Sequence, residues 1–243
     1  MKHLEGSLTK IGIVYFKEKL SKNRAHHEVN DLIMSSWIHF YERSGTTLEP
    51  CLITDGESSI PKQWKYDVAV SKDPDPPQRY DVLNKVGWLK AQGHKIIGKC
   101  IIMDMDCFIM KSIDDIGELD CKMAMPVDEG HRTYDDWLEV GEELNAGCMF
   151  FNSSEIYPQF LDWWFDKTHY LKSITYFDEL IFSAICRGLN GQILSSDYNR
   201  SWPVGDNAAL EEATHSNFTK ILHFHGERKS QLKQWAKKNR IKI

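Results

Sequence analysis

The sequence predicts a single α/β domain built on a central, mixed and mostly parallel β-sheet. Short apolar runs bounded by turn residues alternate with longer amphipathic stretches, the order of a strand-and-helix repeat. One run, Ile101-Ile102-Met103, is apolar without alternation, as expected of a strand covered on both faces. The chain has 243 residues, 42% hydrophobic and 27% charged, which suits one large folded domain.

Each element follows from local pattern. Residues 11–16 (IGIVYF) read as a buried strand. Residues 27–41 place Val29, Leu32, Ile33, Ser36 with Trp37, and Phe40 at helical spacing. Residues 50–54 (PCLIT) form a second strand, stopped by Asp55-Gly56, and 66–70 a third. The stretch 71–80, SKDPDPPQRY, is proline-rich and reads as a loop. Residues 80–92 read as a helix ended by Gly93. KCIIMDMDCFIM, 99–110, is the central strand. Strands follow at 122–126 (KMAMP) and 148–151 (CMFF), then an aromatic-rich helix at 155–170 and a helix at 177–187 closed by Gly188. A short strand at 192–194, a last strand at 221–224 and a terminal helix at 231–238 complete the order. There is no internal repeat.

Charge and cysteine usage exclude several classes. A formal net charge of −5 argues against bulk nucleic-acid binding. The local exception is the tail: from Arg228 onward there are seven Lys or Arg and no acid. The opening MKHLEGSLTK is polar, and no stretch approaches the length of a membrane-spanning helix. The six cysteines are scattered, without C-x-x-C spacing, and read as reduced, buried thiols. The expectation is a cytoplasmic protein. The N-x-S/T triplets at Asn152, Asn199 and Asn217 are then chance matches.

Three segments carry chemistry. Asp104-Met105-Asp106 ends the apolar run, and in extended backbone residues two apart point the same way, so the carboxylates are expected to converge. At a strand end of an open α/β sheet, hard oxygens suit Mg²⁺ or Mn²⁺ beside a phosphate. Two nearby acids are common on surfaces, however. The second segment is HFHGERK, 223–229. His223 can complete a divalent site, Gly226 lets backbone approach a pyrophosphate, and Lys229 supplies positive charge. The plain alternatives are a satisfied histidine and a solvated lysine. The third is Asn145-Ala146-Gly147 before an apolar strand, which offers amide hydrogen bonds to a sugar, or simply a turn. Asp178 and Glu179 open a helix, where acids complement the helix dipole without any catalysis.

Taken in order, these pieces resemble the glycogenin-like retaining glycosyltransferases, family eight in the usual classification. The family pattern has a Lys upstream (Lys85 in NKVGWL), an apolar strand into D-x-D (IIMDMD), an apolar run (CFIM) and I-D-x-[IL] (Ile113 to Ile116). It continues with F-N-[AS]-G-V-[MF], matched by LNAGCMFFN, an Asp-Gln pair, here Asp178-Glu179, and H-F-x-G-x-x-K-P-W, matched by HFHGERK. The resemblance spans about residues 11–229. It departs at Glu179, where an amide becomes an acid, and after Lys229, where Ser-Gln replaces Pro-Trp.

The resemblance implies a GT-A type nucleotide-diphospho-sugar transferase fold. A nucleotide-binding half would span 8–106, an acceptor and sugar half 107–229, and a basic C-terminal helix 230–243. It implies transfer of a hexose from a nucleotide-sugar, UDP by preference, with retention of configuration, to an acceptor the sequence does not name. Asp104, Asp106 and His223 would hold Mn²⁺ or Mg²⁺. Tyr15, Lys85, Asp104, Asn145, Ala146, Gly147, Asp178, Gly226 and Lys229 would bind the donor. Asp178, Glu179 and Asn145 would carry the chemistry.

Rival readings make different demands. A haloacid-dehalogenase-type phosphatase also places D-x-D after a strand, but near its domain start and with Thr or Val where Phe108 stands. A nucleotidyltransferase wants a Gly-rich basic loop at the first strand. A non-catalytic nucleotide-sugar-binding protein has no need to keep His223 together with Lys229. The basic tail reads as a helix packing Trp235 on the domain with solvated lysines, or as a surface for weak peripheral contact with an anionic membrane, worth about 1 kcal/mol per cation.

Overall fold

In the computed structural model the described residues are 10–14, 24–54, 60–70, 100–128, 144–152 and 177–241. They form nine strands: β1 (Lys10–Val14), β2 (Glu49–Thr54), β3 (Asp67–Val70), β4 (Cys100–Asp104), β5 (Cys107–Ile109), β6 (Met123–Pro126), β7 (Cys148–Phe151), β8 (Gln192–Leu194) and β9 (Ile221–His223). The helices among them are α1 (Arg24–Ser44), α2 (Asp114–Gly117), α3 (Phe177–Gly188), α4 (Asn207–His215) and α5 (Leu232–Lys238), with 3₁₀ turns at Ser196–Asn199 and Gly226–Gln231. The predicted loop at 71–80, the helices at 80–92 and 155–170, and Tyr15 and Lys85 lie outside the described residues.

Among the described residues the main sheet has seven strands in the order β3-β2-β1-β4-β7-β6-β8. Only β7 runs against the rest: its ladders with β4 and β6 are antiparallel, and the other four ladders are parallel. The C-terminal ends of the parallel strands therefore share one edge with the start of β7. Val14 pairs with Asp104 there, and Met103 with Cys148.

Side-chain alternation explains why β4 is central. Ile101 and Met103 enter one buried cluster, and Cys100 and Ile102 enter the cluster on the other face. β7 divides likewise, with Cys148 and Phe150 on one side and Met149 and Phe151 on the other. An apolar run without polar alternation is what a doubly covered strand needs.

The predicted continuous strand at 99–110 is corrected by the structure. Met105 and Asp106 form a turn, and the chain leaves the main sheet to pair as β5 with β9 in a separate antiparallel ribbon. The ribbon packs on α1 and α5. Trp235 of α5 lies 4.9 Å from Phe40, 5.5 Å from Phe108 and 4.8 Å from Phe224, ring centre to ring centre. Its indole N–H donates to Thr214 Oγ1 of α4 at 2.8 Å. Leu232 and Trp235 are buried while Lys233 and Lys237 face solvent, so the terminal helix spends its apolar face on the core. Among the described residues no helix is long and apolar enough to cross a membrane.

α1 runs beyond the predicted 27–41 at both ends, and α4 is an addition. Asp206 caps α4, accepting from the main-chain N of Ala208 and Ala209 at 3.0 and 2.9 Å, and Leu210 and Ala213 face inward.

Candidate metal and donor site

The shared strand edge gathers three of the chemistry-bearing segments. β4 ends at Asp104, whose main-chain N donates to Gly147 O at 2.8 Å. The turn then places Asp106, whose own carbonyl accepts from Phe224 N at 3.0 Å, just past the end of β9. The D-x-D segment is thus tied to N-A-G on one side and to H-F-x-G on the other by main-chain bonds.

The two aspartates do not share one environment. Asp104 is half-buried at the strand end, while Asp106 is buried inside the turn. The two residues are not alternate positions of one extended strand, because Met105 and Asp106 form a turn and the period-two rule applies only to extended backbone. The groups that cluster among the described residues are Asp106, Cys107 and His223, their ligand atoms within 4.8 Å of one another. Asp106 Oδ1 lies 3.5 Å from His223 Nε2, and Asp106 Oδ2 lies 2.9 Å from Lys229 Nζ. Burial works to raise the Asp106 pKa, but the Lys229 ammonium beside it outweighs burial and holds the carboxyl well below the usual range.

Asp106 and His223 are ligand types that suit a divalent ion. The pair joins a carboxylate to an imidazole, and the same carboxylate already carries a cation in Lys229 Nζ. Cys107 is the odd member: its Sγ lies 3.3 Å from Gly147 O, as a thiol donor, inside a buried environment.

Asn145-Ala146-Gly147 is buried. Asn145 Oδ1 accepts from Gly147 N at 2.7 Å, and its Nδ2 donates to Glu179 Oε1 at 3.1 Å, near the start of α3. Asn145 thereby joins Glu179 to the strand edge. Asp178 lies in the first turn of α3. A Cβ on Gly147 would sit 2.5 Å from His223 Cε1 and 2.9 Å from its Nδ1, so only glycine lets the imidazole lie where it does. Gly226 has φ +59°, the left-handed region that favours glycine, and starts the 3₁₀ turn that delivers Lys229 to Asp106.

One residue of this site escapes the sequence reading. Asn199, fully buried, places Oδ1 2.7 Å from His223 Nδ1. Its N-x-S triplet therefore has no exposed acceptor, in keeping with a chance match.

No family model and no curated protein matches the sequence. Solved structures do match in fold, and they are sugar transferases. The chain has the GT-A nucleotide-sugar transferase fold. The LgtC galactosyltransferase, in complex with donor and acceptor sugar analogues, aligns with a TM-score of 0.60 at 12% identity, over 93% of this chain and 96% of LgtC. GlyE of Streptococcus pneumoniae TIGR4 aligns at 0.55 with 14% identity, over 96% of this chain and 64% of GlyE. Mouse xyloside xylosyltransferase 1 in its apo form aligns at 0.54 with 12% identity, over 89% of this chain and 97% of that one.

Proposed function

We propose that this protein is a metal-dependent glycosyltransferase that moves a hexose from a UDP-sugar with retention of configuration. The observation that carries the reading is the meeting of Asp106, His223 and Lys229 at the strand edge of a GT-A fold. In this proposal Asp106 and His223 are the core of the Mn²⁺ or Mg²⁺ site, and Asp104, at the end of β4, is their further ligand. When bound, the cation supplies Lewis-acid charge against the donor diphosphate.

The chain's own residues do the rest. Gly226 brings main chain close to the diphosphate, and Lys229 turns its ammonium from Asp106 towards the phosphate charge that grows as the glycosidic bond breaks. Asn145, Ala146 and Gly147 shape the floor on which the sugar lies. Asp178 and Glu179, in the first turn of α3, would orient the sugar hydroxyls, with Glu179 held by Asn145 Nδ2. Glu179 stands where the family pattern has Gln. An active-site mutant of LgtC with the same exchange of residue type is among the similar structures. Tyr15 and Lys85, outside the described residues, complete the donor site in this proposal.

The test is calorimetric. UDP affinity should rise at least about tenfold, ~1.4 kcal/mol, with Mn²⁺. Asp106→Asn should lose that gain while the protein remains folded. NMR of the first product from an α-linked donor should then show an α linkage. Equal UDP affinity with and without Mn²⁺ would overturn the metal assignment, and a β-linked product would overturn retention.

A further inference from the structure

The geometry points to Asn199 as a positioning residue that fixes the tautomer of His223, so that Nε2 and not Nδ1 is the nitrogen offered to a divalent cation. The inference rests on the metal-site reading above and adds a residue to it.

Main-chain pairing puts Asn199 in place. The 3₁₀ turn Ser196–Asn199 leads into Arg200, whose N donates to Ile221 O at 2.8 Å and whose O accepts from His223 N at 3.0 Å. Arg200 therefore bridges to β9 on both sides, and the residue before it has little freedom to move away from His223. Asn199 Oδ1 then faces His223 Nδ1 at 2.7 Å, inside the core. A carbonyl oxygen can only accept, so in this pairing Nδ1 carries the proton. The lone pair of the neutral ring is left on Nε2.

What Nε2 faces makes this assignment consequential. It lies 3.5 Å from Asp106 Oδ1. An imidazole lone pair and a carboxylate oxygen are both acceptors, and at that separation they form a poor pair alone and a good one around a cation. The opposite tautomer would put a proton on Nε2, satisfy Asp106 with a hydrogen bond and remove the nitrogen from coordination. Asn199 selects between the two states. Gly147 leaves room for the Cε1 and Nδ1 edge of the ring, where a Cβ would collide, so the imidazole can reach Asn199 and Asp106 together.

A second observation supports a role beyond packing. Asn199 Nδ2 is buried and has no hydrogen-bond partner among the described residues. A buried amide with one half unsatisfied is costly, and an apolar residue would fill the space with less loss. The oxygen half is what the site uses.

The experiment reads the tautomer directly and then the metal. Long-range ¹H–¹⁵N NMR of the metal-free protein, with His223 assigned by loss of its signals in His223→Gln, should show Nδ1 protonated and Nε2 bare. Mn²⁺ titration followed by EPR should show Asn199→Ala binding roughly 10- to 100-fold more weakly than wild type. Asn199→Asp, which keeps the accepting oxygen and the volume, should hold the same tautomer and bind within a few-fold of wild type. A proton on Nε2 in the wild type overturns the inference and needs no variant to fold. A folded Asn199→Ala with unchanged Mn²⁺ affinity also overturns it while leaving the metal site standing. Wild type that binds no Mn²⁺ removes the metal reading and this inference together.

Discussion

At the scale of single residues, the site depends on close approaches between segments far apart in the chain. Gly147 shows this most sharply. Its missing side chain is where the His223 ring passes, and Gly147→Ala would place Cβ 2.5 Å from Cε1. Real Cβ atoms do not reach such contacts, and Asn199 holds the ring at Nδ1. We expect Gly147→Ala to weaken Mn²⁺ binding at least about tenfold, as displacement of a ligand by an ångström does to a preorganised site. EPR titration checks this, and unchanged affinity would show that His223 can yield. The sequence makes Gly147 visible, as a small residue beside an amide, but not its reason, which is an imidazole from β9. Asn199 shows in sequence only as the start of an N-x-S triplet, which says nothing of a histidine partner. Its signal is the 2.7 Å contact to His223, which only the fold supplies.

At the scale of elements, I-D-x-[IL] has a structural explanation. Ile113 and Ile116 are buried, while Asp114 in the first turn of α2 holds the loop after α1. Its carboxylate accepts from Thr46 Oγ1, from Thr47 N at 2.9 and 3.0 Å, and from Thr47 Oγ1 at 2.9 Å. Burial works to raise the Asp114 pKa, but these donors hold it below the usual range. A carboxyl with a depressed folded pKa stabilises fully above its unfolded value of about 3.9, and the contribution is lost as pH falls through the folded value. Asp114→Ala should therefore cost about 1 kcal/mol at neutral pH, a figure reduced because the pair is partly solvated. The gap to wild type should close below about pH 4. Urea unfolding across pH 3 to 7 measures it, and a pH-independent gap would mean that packing and not charge carries the effect. Elements were legible where apolar period and turn residues agreed, as in β2, β6, β7, β8 and α3. The break between β4 and β5 was not, because Met105-Asp106 turns without Gly or Pro between two apolar runs. α4 was missed because few of its residues are buried, although Asp206 before it is a legible cap.

At the scale of the whole molecule, the site lies where two sheets meet. Asp104 belongs to the main sheet and His223 to the ribbon, with Asp106 in the turn that joins them. The ribbon is held by an aromatic cluster in which Trp235 touches rings from α1, β5 and the segment after β9. Fold class could be read from sequence because strand-and-helix order is local. The separate ribbon could not, because pairing of 107–109 with 221–223 is set by packing between distant segments. The dependence of site on cluster is testable. Trp235→Ala should lower stability by about 3–5 kcal/mol, since it empties a buried aromatic position and leaves Thr214 without its indole partner. Trp235→Phe keeps most ring contacts and loses the N–H bond, so it should cost about 1 kcal/mol. If the ribbon carries His223 to Asp106, Trp235→Ala should also weaken Mn²⁺ binding under conditions where it is still folded, and Trp235→Phe should restore most of that loss. Chemical unfolding gives the first pair of numbers and EPR titration the second. A strongly destabilised Trp235→Ala with wild-type Mn²⁺ affinity would mean that the main-chain bonds of Asp106 and Arg200 to the ribbon hold the site without help from the cluster behind it.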